Sequence, residues 1–143
     1  MNETQLVYPM FALVLLSAFV LVLLFRRRVQ AVRGGSVSVR YFALFQGEVE
    51  PEDTVKAARH FSNLFEAPTL YYAACITAMV THNGSPGVIT LAWLYVAARL
   101  VHAVIHLGAN RLRYRIRIYF FSWIVLLALW IDVVVNAALH VSG

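Results

Sequence analysis

LVYPMFALVLLSAFVLVLLF, residues 6–25, runs for twenty positions without a charged side chain. A bilayer core of about 30 Å takes roughly 20 apolar residues in a helix, so this stretch alone predicts a membrane-spanning helix. The residues before it, Met1–Gln5, hold Glu3 and no basic side chain, whereas Arg26, Arg27 and Arg28 follow it. A secretory leader carries its positive charge first, so the stretch reads as a signal anchor. Pro9 falls in the first turn, where its missing N–H does no harm.

Three more apolar runs of similar length follow, at about 61–80, 88–107 and 118–139. The 143 residues are 61% hydrophobic and only 13% charged, against roughly 25% charged in soluble domains. A soluble enzyme, a disordered chain and a nucleic-acid-binding module are all excluded by that deficit. The expected fold is all-α: a single four-helix transmembrane domain over residues 1–143. The second helix is expected to start near Pro51-Glu52-Asp53-Thr54 and to run unbroken into the membrane, with Pro68 bending it by removing one hydrogen bond to Leu64. His82–Gly87 reads as a turn, and residues 26–60 as the main loop, flexible at Gly34-Gly35-Ser36.

The net charge of +5 is segregated. Of twelve Lys and Arg, seven lie in 26–60 and four are Arg111, Arg113, Arg115 and Arg117; only Arg99 sits inside a span. By the positive-inside rule both basic segments face the cytoplasm and both termini lie outside. Cys75, the single cysteine, falls in an apolar run and reads as a buried structural thiol.

Ionisable groups at membrane depth cost several kcal/mol unless they face a helix, a subunit or a ligand. On the second helix Arg59, Asn63 and Glu66 are spaced i, i+4, i+7, within about 60° of one another. On the third, Arg99, His102, His106 and Asn110 fall within about 80°. At 1.5 Å per residue His102 and His106 come to similar depths as Glu66 and Asn63. Two facing stripes of this kind are either interhelical salt bridges and hydrogen bonds or a site for a polar anionic ligand. Paired histidines also suit a metal or haem, but Arg99 and the nearby arginines repel a cation and no acidic or thiolate ligand is at hand, so no metal is expected. Asp132, Asn136 and His140, one turn apart, read as a structural bond to a neighbouring helix.

The segment Arg59-His60-Phe61-Ser62-Asn63-Leu64-Phe65-Glu66-Ala67-Pro68, with Leu70-Tyr71-Tyr72, Arg99-Leu100-Val101-His102 and Leu107-Gly108 after it, resembles the membrane-associated proteins in eicosanoid and glutathione metabolism (MAPEG), and their bacterial members most. R-x-x-x-N-x-x-E is the pattern that carries the likeness. The resemblance implies a homotrimer with ligand sites between subunits, opening to the cytoplasm of a bacterial inner membrane. It implies glutathione as cosubstrate, with Arg59 on a carboxylate, Asn63 on the backbone and Glu66 on the α-amino group, and with Arg99 and His102 beside them. Arg113 or Arg115 would lower the thiol pKa, since a nearby guanidinium favours thiolate. The chain departs from the pattern at His106, where the glutathione-using members tend to carry tyrosine; histidine there can donate a hydrogen bond or act as a base. The expected activity is a glutathione-dependent transferase or peroxidase acting on a lipophilic electrophile or lipid hydroperoxide. The alternative is a non-catalytic protein binding a lipid or other anion in the same cleft. Expected partners are membrane lipids, a lipophilic substrate and further copies of the chain, with no nucleic acid.

Overall fold

The computed structural model describes residues 3–141, and side chains as far as Leu139; the side chain of His140 lies outside the described residues. One 3-10 turn, Glu3–Leu6, leads into α1 (Val7–Arg33); α2 (Tyr41–Leu44), α3 (Glu52–Asn63), α4 (Ala67–Val80), α5 (Pro86–Leu107) and α6 (Leu112–Val141) follow. Strands are absent among the described residues. Three helices are long and apolar enough to cross a membrane: Glu3–Arg33, Pro86–Leu107 and the Leu112–Leu139 part of α6.

The region expected as an unbroken second spanning helix is divided. α3 stops at Asn63 and α4 starts at Ala67, with Glu66 between them at φ −90°, ψ −100°. At 14 residues, α4 is about 21 Å long and does not cross a 30 Å core alone. The reason is local. Pro68 has no N–H and disfavours helical backbone in the residue before it, so it sits in the first turn of a new helix, where the missing donor is harmless. Turn hydrogen bonds from Leu64 N to Phe61 O (3.1 Å) and Phe65 N to Ser62 O (2.9 Å) close α3, and Thr69 N to Glu66 O (3.1 Å) opens α4. The Thr69 hydroxyl donates to the same Glu66 carbonyl.

The segment 26–60 is more ordered than a loop. α1 carries Arg26–Arg28 on its own last turns and ends only at Arg33, capped by Gly34. Ala31 near its end forms a small separate core with Val37 and Tyr41 beyond it, and the Arg28 guanidinium lies 5.1 Å from the Phe42 ring centroid and 3.8 Å from Glu50. Arg27 donates to the Asp53 carbonyl at 2.6 Å, which ties the end of α1 to the start of α3.

The main core joins Leu13, Leu16 and Val20 of α1 to Tyr71, Ala74, Cys75 and Ala78 of α4, Ala92, Tyr95 and Val96 of α5 and Val125, Leu126 and Leu129 of α6. Tyr71 and Tyr95 stack at 4.5 Å across α4 and α5, and Cys75 is buried as expected. α5 and α6 form the most extensive helix pair. α5 starts sharply because the Ser85 hydroxyl accepts from Val88 N (3.2 Å) and Pro86 occupies the first turn. Asp132 of α6 accepts from Asn136 (2.7 Å) and Asn83 (3.4 Å), so it bonds the turn before α5 to α6. On the outside, Phe120, Ile124, Leu127, Ile131 and Val135 make one exposed stripe along α6. An apolar face of that length is foreign to water and suited to lipid or a neighbouring subunit.

Candidate functional site

At the end of the bundle where α5 finishes and α6 begins, a cleft of about 430 Å³ opens between α3, the break before α4, α5 and α6. Arg59, Ser62, Asn63 and Glu66 line one wall; His102, His106 and Arg115 line the other, with Ile116, Tyr119 and Phe120 at the apolar end. Of the two polar stripes expected from the sequence, Arg59, Asn63 and Glu66 meet His102 and His106 across one cavity, while Arg99 and Asn110 do not line it. Its volume lies within the roughly 300–1,000 Å³ typical of small-molecule sites.

Glu66 does not continue the stripe of a helix. It stands in the helix break, at the head of α4, and still reaches the same wall as Arg59 and Asn63. Arg59 and Glu66 are exposed in the single chain, although neither pairs with the other among the described ion pairs. The cleft thus offers a guanidinium and a carboxylate as separate recognition groups, with an amide between them. A carboxylate bound to the first and an ammonium bound to the second would both be held by charge-assisted hydrogen bonds.

The structure separates the two candidate arginines of the α5–α6 turn. Arg115 lines the cleft, half-buried, and its Nη1 donates to the Asn110 side-chain oxygen at 2.9 Å. Arg113 is exposed and outside the cleft. The turn that sets this geometry has Asn110 in the left-handed region at φ 47°, a conformation asparagine tolerates better than most residues. Asn110 N closes it on Ile105 O at 2.9 Å.

Arg99 does not line the cleft. It is fully buried behind it and donates from Nη2 to the Asn63 carbonyl at 3.1 Å. α3 ends there, so Arg99 satisfies a carbonyl that the interrupted helix leaves without an intrahelical donor. Its Nε and Nη1 have no partner within the chain.

The sequence pattern gives His60 no role, yet the structure sets its ring against those of the other two buried histidines. Its ring lies 5.5 Å from His102, stacked at 25°, and 5.0 Å from His106; all three are buried. The signal was present, since His60 precedes Asn63 by three residues and faces inward when Arg59 faces the cleft. Tyr119 was also missed. Its ring centroid is 5.9 Å from that of His102, and it sits one turn after Arg115 on α6.

A family model matches residues 6–135, that of the MAPEG family. Neither a curated protein nor a solved structure matches the chain.

Proposed function

The chain belongs to the MAPEG family, membrane proteins tied to glutathione and eicosanoid metabolism, and on that premise we propose that it is a membrane-embedded, glutathione-dependent transferase or peroxidase. The observation that carries the reading is the cleft itself. It places Arg59, Asn63 and Glu66 on one wall, Arg115 and His106 on the other, and Ile116 and Phe120 at the margin.

In this reading Arg59 pairs with a glutathione carboxylate, Asn63 bonds the peptide backbone and Glu66 takes the α-ammonium. Arg99 is a positioning residue, fixing Asn63 from behind through its carbonyl. Arg115, not Arg113, stabilises the thiolate, and His106 donates to the sulfur or accepts its proton. In the transferase reaction the thiolate forms a C–S bond to an electrophilic carbon of the lipophilic partner, and the thiol proton leaves to His106 or solvent. In the peroxidase reaction the thiolate attacks the outer oxygen of a hydroperoxide and releases the alcohol; a second glutathione then gives the disulfide and water.

Arg59 and Glu66 are exposed in the single chain beside apolar surface. Charges so placed call for a covering neighbour or ligand, which supports a homotrimer with the clefts at subunit boundaries. The α3–α4 pair then makes the fourth crossing. The cleft lies at the end that carries Arg26–Arg28 and Arg111–Arg117, so the positive-inside rule turns it to the cytoplasm of a bacterial inner membrane. Glutathione arrives from that side and the lipophilic partner from the bilayer.

Calorimetry of the detergent-purified protein with glutathione tests this, with Glu66→Ala as control. Micromolar-to-millimolar binding that is lost in Glu66→Ala supports the assignment. Absence of binding at millimolar glutathione refutes it and favours the non-catalytic alternative, a lipid or other anion in the same cleft.

A further inference from the structure

Inward of the cleft wall, His60 of α3 and His102 and His106 of α5 bring three imidazoles together, with one nitrogen of each ring within 4.8 Å of one nitrogen of each other ring. Relative exposures are 0%, 2% and 3%. Both nitrogens of His60, both of His102 and Nδ1 of His106 are buried without a hydrogen-bond partner in the chain. Buried polar atoms are almost always satisfied, and leaving one unmade costs about 1–3 kcal/mol. A single bound cation would take one nitrogen from each ring, and three rings so placed describe an arrangement built around something the chain itself does not supply.

We propose that His60, His102 and His106 form a three-imidazole site for one transition-metal cation, with Zn²⁺ the ion whose coordination they fit. Three histidines and one open position are a catalytic-type zinc set. With Zn–N bonds of 2.0–2.1 Å, ring nitrogens in a tetrahedral site lie about 3.4 Å apart, so each ring needs to move inward by less than about 1 Å. Small χ rotations cover that distance. The fourth position is oriented by who lines the cleft: His102 and His106 do and His60 does not, so the open side faces the cavity.

Arg99 and Arg115 are near enough to oppose a bare divalent ion, which is the argument the sequence alone makes against a metal. Their effect reverses once the fourth ligand is an anion. A hydroxide, chloride or thiolate on Zn²⁺ lowers the charge of the centre and sits where Arg115 lines the cavity. The same arginines then select for an anion-bearing metal over a bare one. This inference does not rest on the glutathione reading; with His106 on the metal, the thiol proton leaves to solvent, its other acceptor.

The test uses the metal alone. The chelator-treated full chain in detergent is titrated with Co²⁺, whose visible absorption is intense only in tetrahedral sites, and Zn²⁺ is then added as competitor. The expected result is one Co²⁺ per chain with tetrahedral intensity, displaced by Zn²⁺. Affinity should fall by at least about 100-fold in both His60→Gln and His106→Gln, since even outer-shell partners are worth 10–100-fold. Binding that survives in both variants overturns the proposal, as does weak octahedral Co²⁺ or none in the wild type. Should one variant fail to fold, the other locates the site, and a wild-type spectrum without tetrahedral Co²⁺ overturns the proposal by itself. Glutathione calorimetry on the same metal-free sample is a separate readout, so failure of one reading leaves the other standing.

Discussion

Replacing Arg115 by alanine is the perturbation that most directly addresses the chemistry of the cleft. The guanidinium is half-buried, lines the cavity and is held in place by Asn110 at 2.9 Å, so it acts from a fixed position and little is lost to side-chain motion. At a separation of about 4 Å and an effective dielectric of 20, two unit charges interact by roughly 4 kcal/mol. Partial exposure and the opposing charge of Glu66 in the same cavity reduce this to an effective shift of about 1.5 pKa units, near 2 kcal/mol. A free thiol titrates near 8.5, so the bound thiol is expected near 7. The sign follows directly: thiolate is present above pH 7 in the wild type and only above about 8.5 in Arg115→Ala. At pH 7 the thiolate fraction falls from about one half to about 3%, a loss of roughly 15-fold in the chemical step. Ultraviolet absorbance of bound glutathione against pH reads the titration directly, and turnover of an aryl halide reads the rate. Arg115→Ala should show a thiolate midpoint raised by 1 to 2 units, a kcat reduced roughly 15-fold at pH 7 and regained near pH 9, and a nearly unchanged glutathione affinity. An unmoved midpoint, or a loss confined to KM, would refute the assignment of Arg115 to the sulfur. Arg113→Ala, exposed and outside the cleft, is the matched control and should leave both readouts unchanged.

Three other perturbations have defined outcomes. A Cβ on Gly108 would lie 2.8 Å from the Val104 carbonyl oxygen, a backbone atom that cannot swing aside, so Gly108→Ala should cost about 1–3 kcal/mol. It should also displace the Asn110 turn that anchors Arg115; heat-induced unfolding in detergent with an unchanged midpoint would contradict this. A Cβ on Gly87 meets Asp132 Oδ2 at 2.9 Å, and moving that carboxylate disturbs its bonds to Asn83 and Asn136, so Gly87→Ala should cost about 1.5 kcal/mol or more. Most of that cost should vanish in an Asp132→Ala background, and additive effects in the double-mutant cycle would show that the two residues do not communicate. Glu48 accepts from Ser38 N and Oγ, both at 2.6 Å, and these bonds hold its carboxyl below the usual carboxylate range. The ordering they provide is therefore complete above the unfolded carboxylate pKa and is lost as pH falls through the lower folded value. The Ser38 amide NMR shift should titrate with that lowered midpoint, and an ordinary carboxylate midpoint would show the contact to be absent in solution.

Much of this architecture is written in patterns that depend on only one element at a time. Residues 6–25 declare a membrane helix by length and lack of charge, and the spacing of Arg99, His102 and His106 puts them on one face whatever surrounds them. The pairing of that face with Arg59 and Asn63 was also legible, because a rise of 1.5 Å per residue fixes depth. What was not legible depends on competition between neighbouring preferences. The stretch around Leu64 is helix-compatible residue by residue, and only Pro68 four positions later decides that the chain breaks before it instead of bending at it. Arg99 shows the same limitation. Its residue type and spacing place it on the polar stripe, but the free Asn63 carbonyl that draws it behind the cleft exists only because α3 stops. Arg113 and Arg115 are alike in sequence, and the left-handed Asn110 decides which of them turns inward. His60 stands three residues before Asn63, a spacing that gains its meaning only from the two rings on another helix.

The short α4 has a bearing on how the chain is assembled into a bilayer. Its 14 residues fall below the roughly 20 that partition as an independent spanning segment, whereas α5, only a short turn away, has 22 and a strongly apolar sequence. Tyr71 stacked on Tyr95 joins these pieces near the start of α4, and the short turn through Asn83 joins them at its end. The expected order of biogenesis is a helical hairpin, with α4 waiting at the membrane entrance until α5 has been synthesised and both entering together. Cysteine-labelling of nascent chains truncated before and after residue 107 would register that step, with α4 remaining accessible in the shorter chain and protected in the longer one.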